Sequence, residues 1–115
     1  MGSRVKIVKK PWGRELWYAQ APKYVGKILT IEKGRRLSLQ YHRFKHETIY
    51  ILNGWLALEL NGRRSLRKAG SAFTIAPKSI HRFSAPRGRV TLLEVSTPEL
   101  ADVVRLADDY GRTEA

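Results

Sequence analysis

The sequence contains no cysteine, one methionine and three histidines among 115 residues. Without cysteine there is no disulfide, no thiolate metal site and no cysteine nucleophile. No run of 18 apolar residues occurs, which excludes a helical membrane span. No apolar signal region opens the chain, so the expected compartment is the cytoplasm. Acidic residues are scarce, at 10 against 22 basic ones, for a net charge of +12. The scarcity is confined to one half: residues 1–46 hold 12 basic and 2 acidic side chains, and residues 47–115 hold 10 and 8. Such a basic half points to an anionic partner, whether a phosphorylated sugar, a nucleotide or a nucleic acid. Hydrophobic residues at 43% are enough to exclude long disorder.

What is present reads as short strands with turn punctuation. Val5–Lys9, Glu15–Gln20, Gly26–Glu32, Arg36–His42, Thr48–Leu52, Trp55–Leu60, Ala72–Ile75, His81–Ser84 and Val90–Ser96 are the expected strands. Asn53-Gly54 and Asn61-Gly62 are hairpin signals. Thr97-Pro98-Glu99 reads as a helix start, and Leu100, Val103, Val104 and Ala107 follow at helical spacing. The expectation is an all-β sandwich or barrel with a short C-terminal α-helix.

The chemistry concentrates in Gln40, His42, Glu47 and His81. Gln40 and His42 are two apart on one strand, so their side chains leave the same face. Glu47 follows His42 after a four-residue turn, and His81 opens a strand after Ala76-Pro77. Two imidazoles, a carboxylate and a neutral amide oxygen suit a divalent transition metal better than calcium or magnesium. Zinc comes first, with manganese, cobalt, nickel and iron open.

The stretch Gly34-x5-Gln40-x-His42-x4-Glu47-x6-Gly54 resembles the first cupin motif, with Gln40 where the first histidine usually stands. Gly70 to His81 resembles the second, with Ala76 in place of a proline, Lys78 in place of a glycine, and Ala85 in place of the trailing asparagine. The glutamine is shared with the cupin domain of type II phosphomannose isomerases, which is often fused to mannose-1-phosphate guanylyltransferases. The similarity extends to Pro11-Trp12-Gly13, Lys27–Ile31, Leu37-Ser38-Leu39-Gln40, His81-Arg82, Leu93-Glu94-Val95 and Asp109-Tyr110-Gly111-Arg112. The resemblance implies a double-stranded β-helix, a jelly-roll-like barrel, as a single domain over residues 1–115 with a core at about 9–112.

It also implies a metal-dependent aldose–ketose isomerase that converts mannose 6-phosphate to fructose 6-phosphate through a metal-stabilised enediolate. A metal-binding cupin for another sugar or small molecule, an oxygenase included, is the alternative, as is a non-catalytic binding cupin, because fold does not fix function. Lys27, Arg36 and Arg82 are the candidate phosphate or sugar contacts. Arg112 joins them if the C-terminal segment folds over the barrel mouth, and Tyr110 would orient substrate. Glu94, set in an apolar strand, is a candidate general base, and Lys45 and His46 near the ligand turn are the others. Trp12, Trp17 and Tyr18 near lysines allow a single-strand-binding reading. No nucleic-acid-binding motif supports it, so nucleic acid is not an expected partner. Leu37, Leu39 and Tyr41 are expected on the face opposite the ligands, where their burial would make a homodimer.

Overall fold

A computed structural model describes residues 4–113; residues 1–3 and 114–115, at the ends of the expected domain, lie outside the described residues. Eleven strands make up the described chain: β1 (Lys6–Lys10), β2 (Gly13–Gln20), β3 (Val25–Ile31), β4 (Leu39–Tyr41), β5 (Glu47–Asn53), β6 (Trp55–Leu60), β7 (Arg63–Lys68), β8 (Ala72–Ile75), β9 (His81–Ser84), β10 (Val90–Ser96) and β11 (Val104–Ala107). They form two antiparallel sheets, in the orders β1-β2-β3-β10-β5-β8 and β11-β4-β9-β6-β7. This is the jelly-roll-like barrel that the sequence motifs imply. No helix among the described residues is long and apolar enough to cross a membrane.

Alternation along the strands divides the interior into two halves. β3 buries Val25, Lys27, Leu29 and Ile31, β10 buries Val90, Leu92, Glu94 and Ser96, and β5 buries Glu47, Ile49 and Ile51. Each of these strands is apolar toward one end and ionisable toward the other. The apolar ends meet Leu56, Leu58, Ile75 and Phe83 in the main core. Each fully buried aliphatic side chain there contributes about 1.5–3 kcal/mol. That core fixes the strands so that Lys27, Glu47 and Glu94 project into the other half.

Several expectations are corrected. The C-terminal helix is absent: residues 97–103 form turns, and β11 pairs with β4. An isolated helix of this length is marginal, Val103 and Val104 are β-branched, and β4 offers an open edge to complete. Asn61-Gly62 does turn the β6–β7 hairpin, with φ of 48° and 84° as a type I′ turn requires. Asn53-Gly54, by contrast, carries the chain from one sheet to the other, since β5 and β6 lie in different sheets. Leu37 turns into the core instead of outward. It precedes the regular part of β4, where strict alternation does not hold. The strand β7 has no apolar alternation and gave no strand signal in the sequence.

Candidate metal centre

Three ionisable side chains from opposite sheets meet at the polar end of the interior. His42 follows β4 and His81 opens β9 in the five-stranded sheet, while Glu47 opens β5 in the six-stranded one. Glu47 therefore faces His42 across the barrel and is not its strand partner. All three are buried, and one donor atom from each lies within 4.8 Å of the others. His42 Nε2 is 3.7 Å from Glu47 Oε2, and His81 Nε2 is 3.7 Å from Glu47 Oε1. These separations are too long for hydrogen bonds.

The outer nitrogens set the tautomers. His42 Nδ1 lies 2.6 Å from the Asp102 carbonyl oxygen, and His81 Nδ1 lies 2.9 Å from that of Ser79. A carbonyl can only accept, so each Nδ1 carries the hydrogen and each Nε2 presents a lone pair to the cluster. Both Nε2 atoms are buried without a hydrogen bond among the described residues, and Glu47 Oε2 has the Lys45 ammonium 2.9 Å away. Burial lowers the pKa of each imidazole and so favours the neutral form. Burial works against ionised Glu47, but the Lys45 ammonium outweighs it and holds the carboxyl below its usual range. Neutral imidazoles oriented by backbone carbonyls, beside an ionised carboxylate, fit a divalent transition metal.

The ligand turns are held from outside. The Asp102 carboxylate accepts the backbone N–H groups of Arg43, Phe44 and Lys45, at 3.0, 2.7 and 2.9 Å. Lys78 donates its backbone N–H to the His42 carbonyl at 2.6 Å. Ala76-Pro77-Lys78-Ser79 closes with Ser79 N–H on the Ala76 carbonyl, and Lys78 has φ 68°. Proline second and a left-handed third residue define a type II turn, which explains why glycine is usual where Lys78 stands.

Gln40 sits directly across from His81 in register and is half-buried; its Oε1 accepts from Ser38 Oγ at 2.7 Å. It lines a cavity of about 530 Å³ together with His42, Lys45, Lys27, Trp17 and Arg112. Lys6, Lys9, Lys10 and Arg105 add further positive charge to that wall, against Glu15 alone. Lys27 Nζ is 3.3 Å from Glu15 Oε1, and Lys6 and Lys27 sit over the Trp17 ring at 4.9 and 4.7 Å. Burial disfavours ionised Glu15, yet Lys27 and the Trp17 indole N–H hold its carboxyl below the usual range. Trp12 is buried in the core, so Trp12 and Trp17 form no exposed stacking platform.

The other sequence candidates divide. Lys45 Nζ bridges Glu47 and Glu94 at 2.9 and 3.2 Å, and all three side chains are buried. Burial, then the Glu47 charge, pushes the Glu94 carboxyl up. Burial opposes the Lys45 ammonium, but the two carboxylates hold its pKa above the usual lysine value. His46 is exposed, its backbone tied to Thr97, and does not join the cluster. Arg36 pairs with Asp109 at the surface, at 2.7 and 2.9 Å. Arg82 points away from His81 and donates to the Leu37 and Ala107 carbonyls. Tyr110 packs against the core, with Arg112 over its ring at 5.4 Å. Asp102 and Arg105 were hidden in the sequence, because their segment has helical spacing; adjacent Val103 and Val104 were the one sign of strand.

Residues 3–108 match the family model described as mannose-6-phosphate isomerase C-terminal. A mannose-1-phosphate guanylyltransferase from Klebsiella pneumoniae is 29% identical over 95% of this chain and 24% of its own length. The alginate biosynthesis protein AlgA of Pseudomonas aeruginosa is 30% identical over 92% of this chain and 23% of its own. The chain thus spans about a quarter of the length of these curated relatives. An RmlC-like cupin from Shewanella frigidimarina superposes with a TM-score of 0.75, covering 87% of this chain and 89% of that one at 16% identity, a likeness of fold alone.

Proposed function

Because the chain belongs to the mannose-6-phosphate isomerase C-terminal family, we propose that it is a metal-dependent isomerase interconverting mannose 6-phosphate and fructose 6-phosphate. The observation that carries this reading is the convergence of two lone-pair imidazole nitrogens and a carboxylate beside a cation-lined cavity. His42, Glu47 and His81 would hold the metal, with Gln40 as a neutral oxygen donor beside them. A divalent transition metal there supplies Lewis acidity toward a carbonyl and its developing oxyanion.

The chain's own groups supply the rest. Aldose–ketose isomerisation moves one proton between C1 and C2 and a second between O1 and O2, and the carbon-bound proton needs a base that also acts as an acid. Glu94 fits, because Lys45 joins it to Glu47 in the cluster and burial, then the Glu47 charge, pushes its carboxyl up. Lys45, held as the ammonium, orients the Glu94 carboxylate and adds positive charge where oxyanion character develops. His46 is exposed, with its backbone tied to Thr97, and is left out of that role. Lys27 and Arg112 line the cavity, each paired with one carboxylate, and with Lys6, Lys9, Lys10 and Arg105 they leave its wall net positive, which suits a phosphate dianion. Arg36 and Arg82 brace the tail and the sheet, and Tyr110 seats Arg112. The partner is therefore a small anionic sugar phosphate. A homodimer remains part of this reading, but through the outer face of the six-stranded sheet, where Tyr50, Leu52 and Val95 are exposed; light scattering that finds a monomer would remove it.

The test is a coupled assay on protein stripped of metal and reloaded with zinc, manganese, cobalt or nickel. Metal-dependent formation of fructose 6-phosphate is expected. Glu94→Gln should lower kcat by about 10²–10⁴-fold with metal content unchanged. Absence of turnover from folded, metal-loaded protein would overturn the isomerase reading.

A further inference from the structure

Arg105 enters the cavity from β11, the strand that stands where a helix was expected. It lies opposite Gln40 on β4, and Gln40 lies opposite His81 on β9. Register partners share a face, so the three side chains form one row across the inner side of the five-stranded sheet. Neighbouring strands are about 4.8 Å apart, which puts Arg105 roughly 10 Å along that row from His81.

The carboxylates near it, Asp108 and Glu15, are already paired with Arg112 and Lys27. Arg105 Nε is shut off from solvent and has no hydrogen-bond partner among the described residues. Arg112, which also lines the cavity, has its Nε and Nη2 taken by the Asp108 carboxylate at 2.8 and 2.9 Å. Burial, then the Arg112 charge, weakens the protonation of Arg105. A buried guanidinium donor left unpaired beside a second cation is costly. An anion placed between the two would offset both penalties.

We propose that Arg105, with Arg112 beside it, holds the phosphate of the substrate at the end of the cavity remote from His42, Glu47 and His81. This rests on the isomerase reading and specifies its substrate. A guanidinium fork matches the oxygens of a phosphomonoester dianion. The spacing along the row selects molecules whose phosphate is distant from the reacting carbonyl. A hexose 6-phosphate satisfies that, whereas a hexose 1-phosphate places its phosphate on the carbon that must react.

The experiment separates this assignment from the isomerase reading. Inorganic phosphate is titrated calorimetrically into the wild type, Arg105→Gln, Arg105→Lys and Arg64→Gln, the last on the exposed strand β7. Arg105→Gln should weaken phosphate binding about tenfold or more, the loss of one charge-assisted contact. Arg105→Lys should fall between, and Arg64→Gln should match the wild type. In the coupled assay, Arg105→Gln should raise the KM for mannose 6-phosphate more than it lowers kcat. Equal phosphate binding by Arg105→Gln and the wild type, or no binding by the wild type at millimolar phosphate, would overturn the assignment. If Arg105→Gln does not fold, Arg105→Lys decides, because it keeps the charge and loses only the fork. A wild type that binds phosphate through Arg105 but turns over no sugar would sink the isomerase reading and leave this site standing.

Discussion

Replacing Asp102 by alanine tests how the C-terminal segment governs the proposed metal centre. Its carboxylate caps three successive backbone N–H groups in the turn between His42 and Glu47. Two of those bonds are exposed, where water can replace the carboxylate, and contribute about 0.5 kcal/mol each. The bond to Lys45 is partly buried and contributes about 1 kcal/mol. The sum is about 2 kcal/mol, or roughly a 10 °C fall in Tm for a chain of this size. The effect on metal should be larger than this loss alone suggests. The Asp102 carbonyl fixes the tautomer of His42, and loosening the turn misplaces His42 and Glu47 together. Loss of such an outer contact typically costs 10- to 100-fold in metal affinity. Asp102→Asn, which keeps one amide oxygen, should fall between. The assay is zinc competition against a chromophoric chelator, paired with thermal melts of the metal-free protein. A melt lowered as predicted with zinc affinity unchanged would refute the coupling of this segment to the site.

Further outcomes follow from the turns and from the histidines. Gly54→Ala should cost about 2–4 kcal/mol, because φ is 88° and a Cβ would lie 2.5 Å from the Arg89 carbonyl oxygen. Gly62→Ala meets no atom and should cost only about 1 kcal/mol; equal losses in urea melts would contradict this. Lys78→Gly relieves a left-handed residue against a more flexible unfolded chain, so urea melts should show it neutral or up to about 1 kcal/mol more stable. His42 and His81 have folded pKa values below their unfolded value of 6.5, so the unfolded chain binds more protons just under that pH. Their contribution to metal-free stability is complete above about pH 6.5 and is lost as pH falls through the depressed values. Metal-free melts that stay flat from pH 7 to pH 5 would contradict the neutral assignment.

The parts of the fold that follow from local alternation were legible in the sequence. Trp55–Leu60, Ala72–Ile75, His81–Ser84 and Val90–Ser96 are the strands β6, β8, β9 and β10 without change. The cluster was legible too, because the sequence has three histidines and the spacing of two of them about Glu47 is informative. Features that depend on which sheet a strand joins were not. Asn53-Gly54 has the composition of a hairpin, yet it crosses between sheets because β5 pairs with β10 and β8. Residues 100–107 have helical spacing, but the open edge of β4 draws Val104–Ala107 into a strand and brings Arg105 into the cavity. Leu37 carries the period of a strand in a stretch where the backbone is irregular. Lys45 was one of three open bases, and only the packing of β10 against β5 shows that it joins Glu47 to Glu94.

The most direct test of the metal centre is equilibrium dialysis against zinc, with bound metal measured per chain for the wild type and His81→Ala. His81 is buried, comes from the far motif, and contributes a nitrogen with no other described partner. One tightly held ion per wild-type chain, reduced to near zero in a folded His81→Ala, is the predicted result. A wild type that retains no metal, or a variant that retains as much as the wild type, would contradict the account.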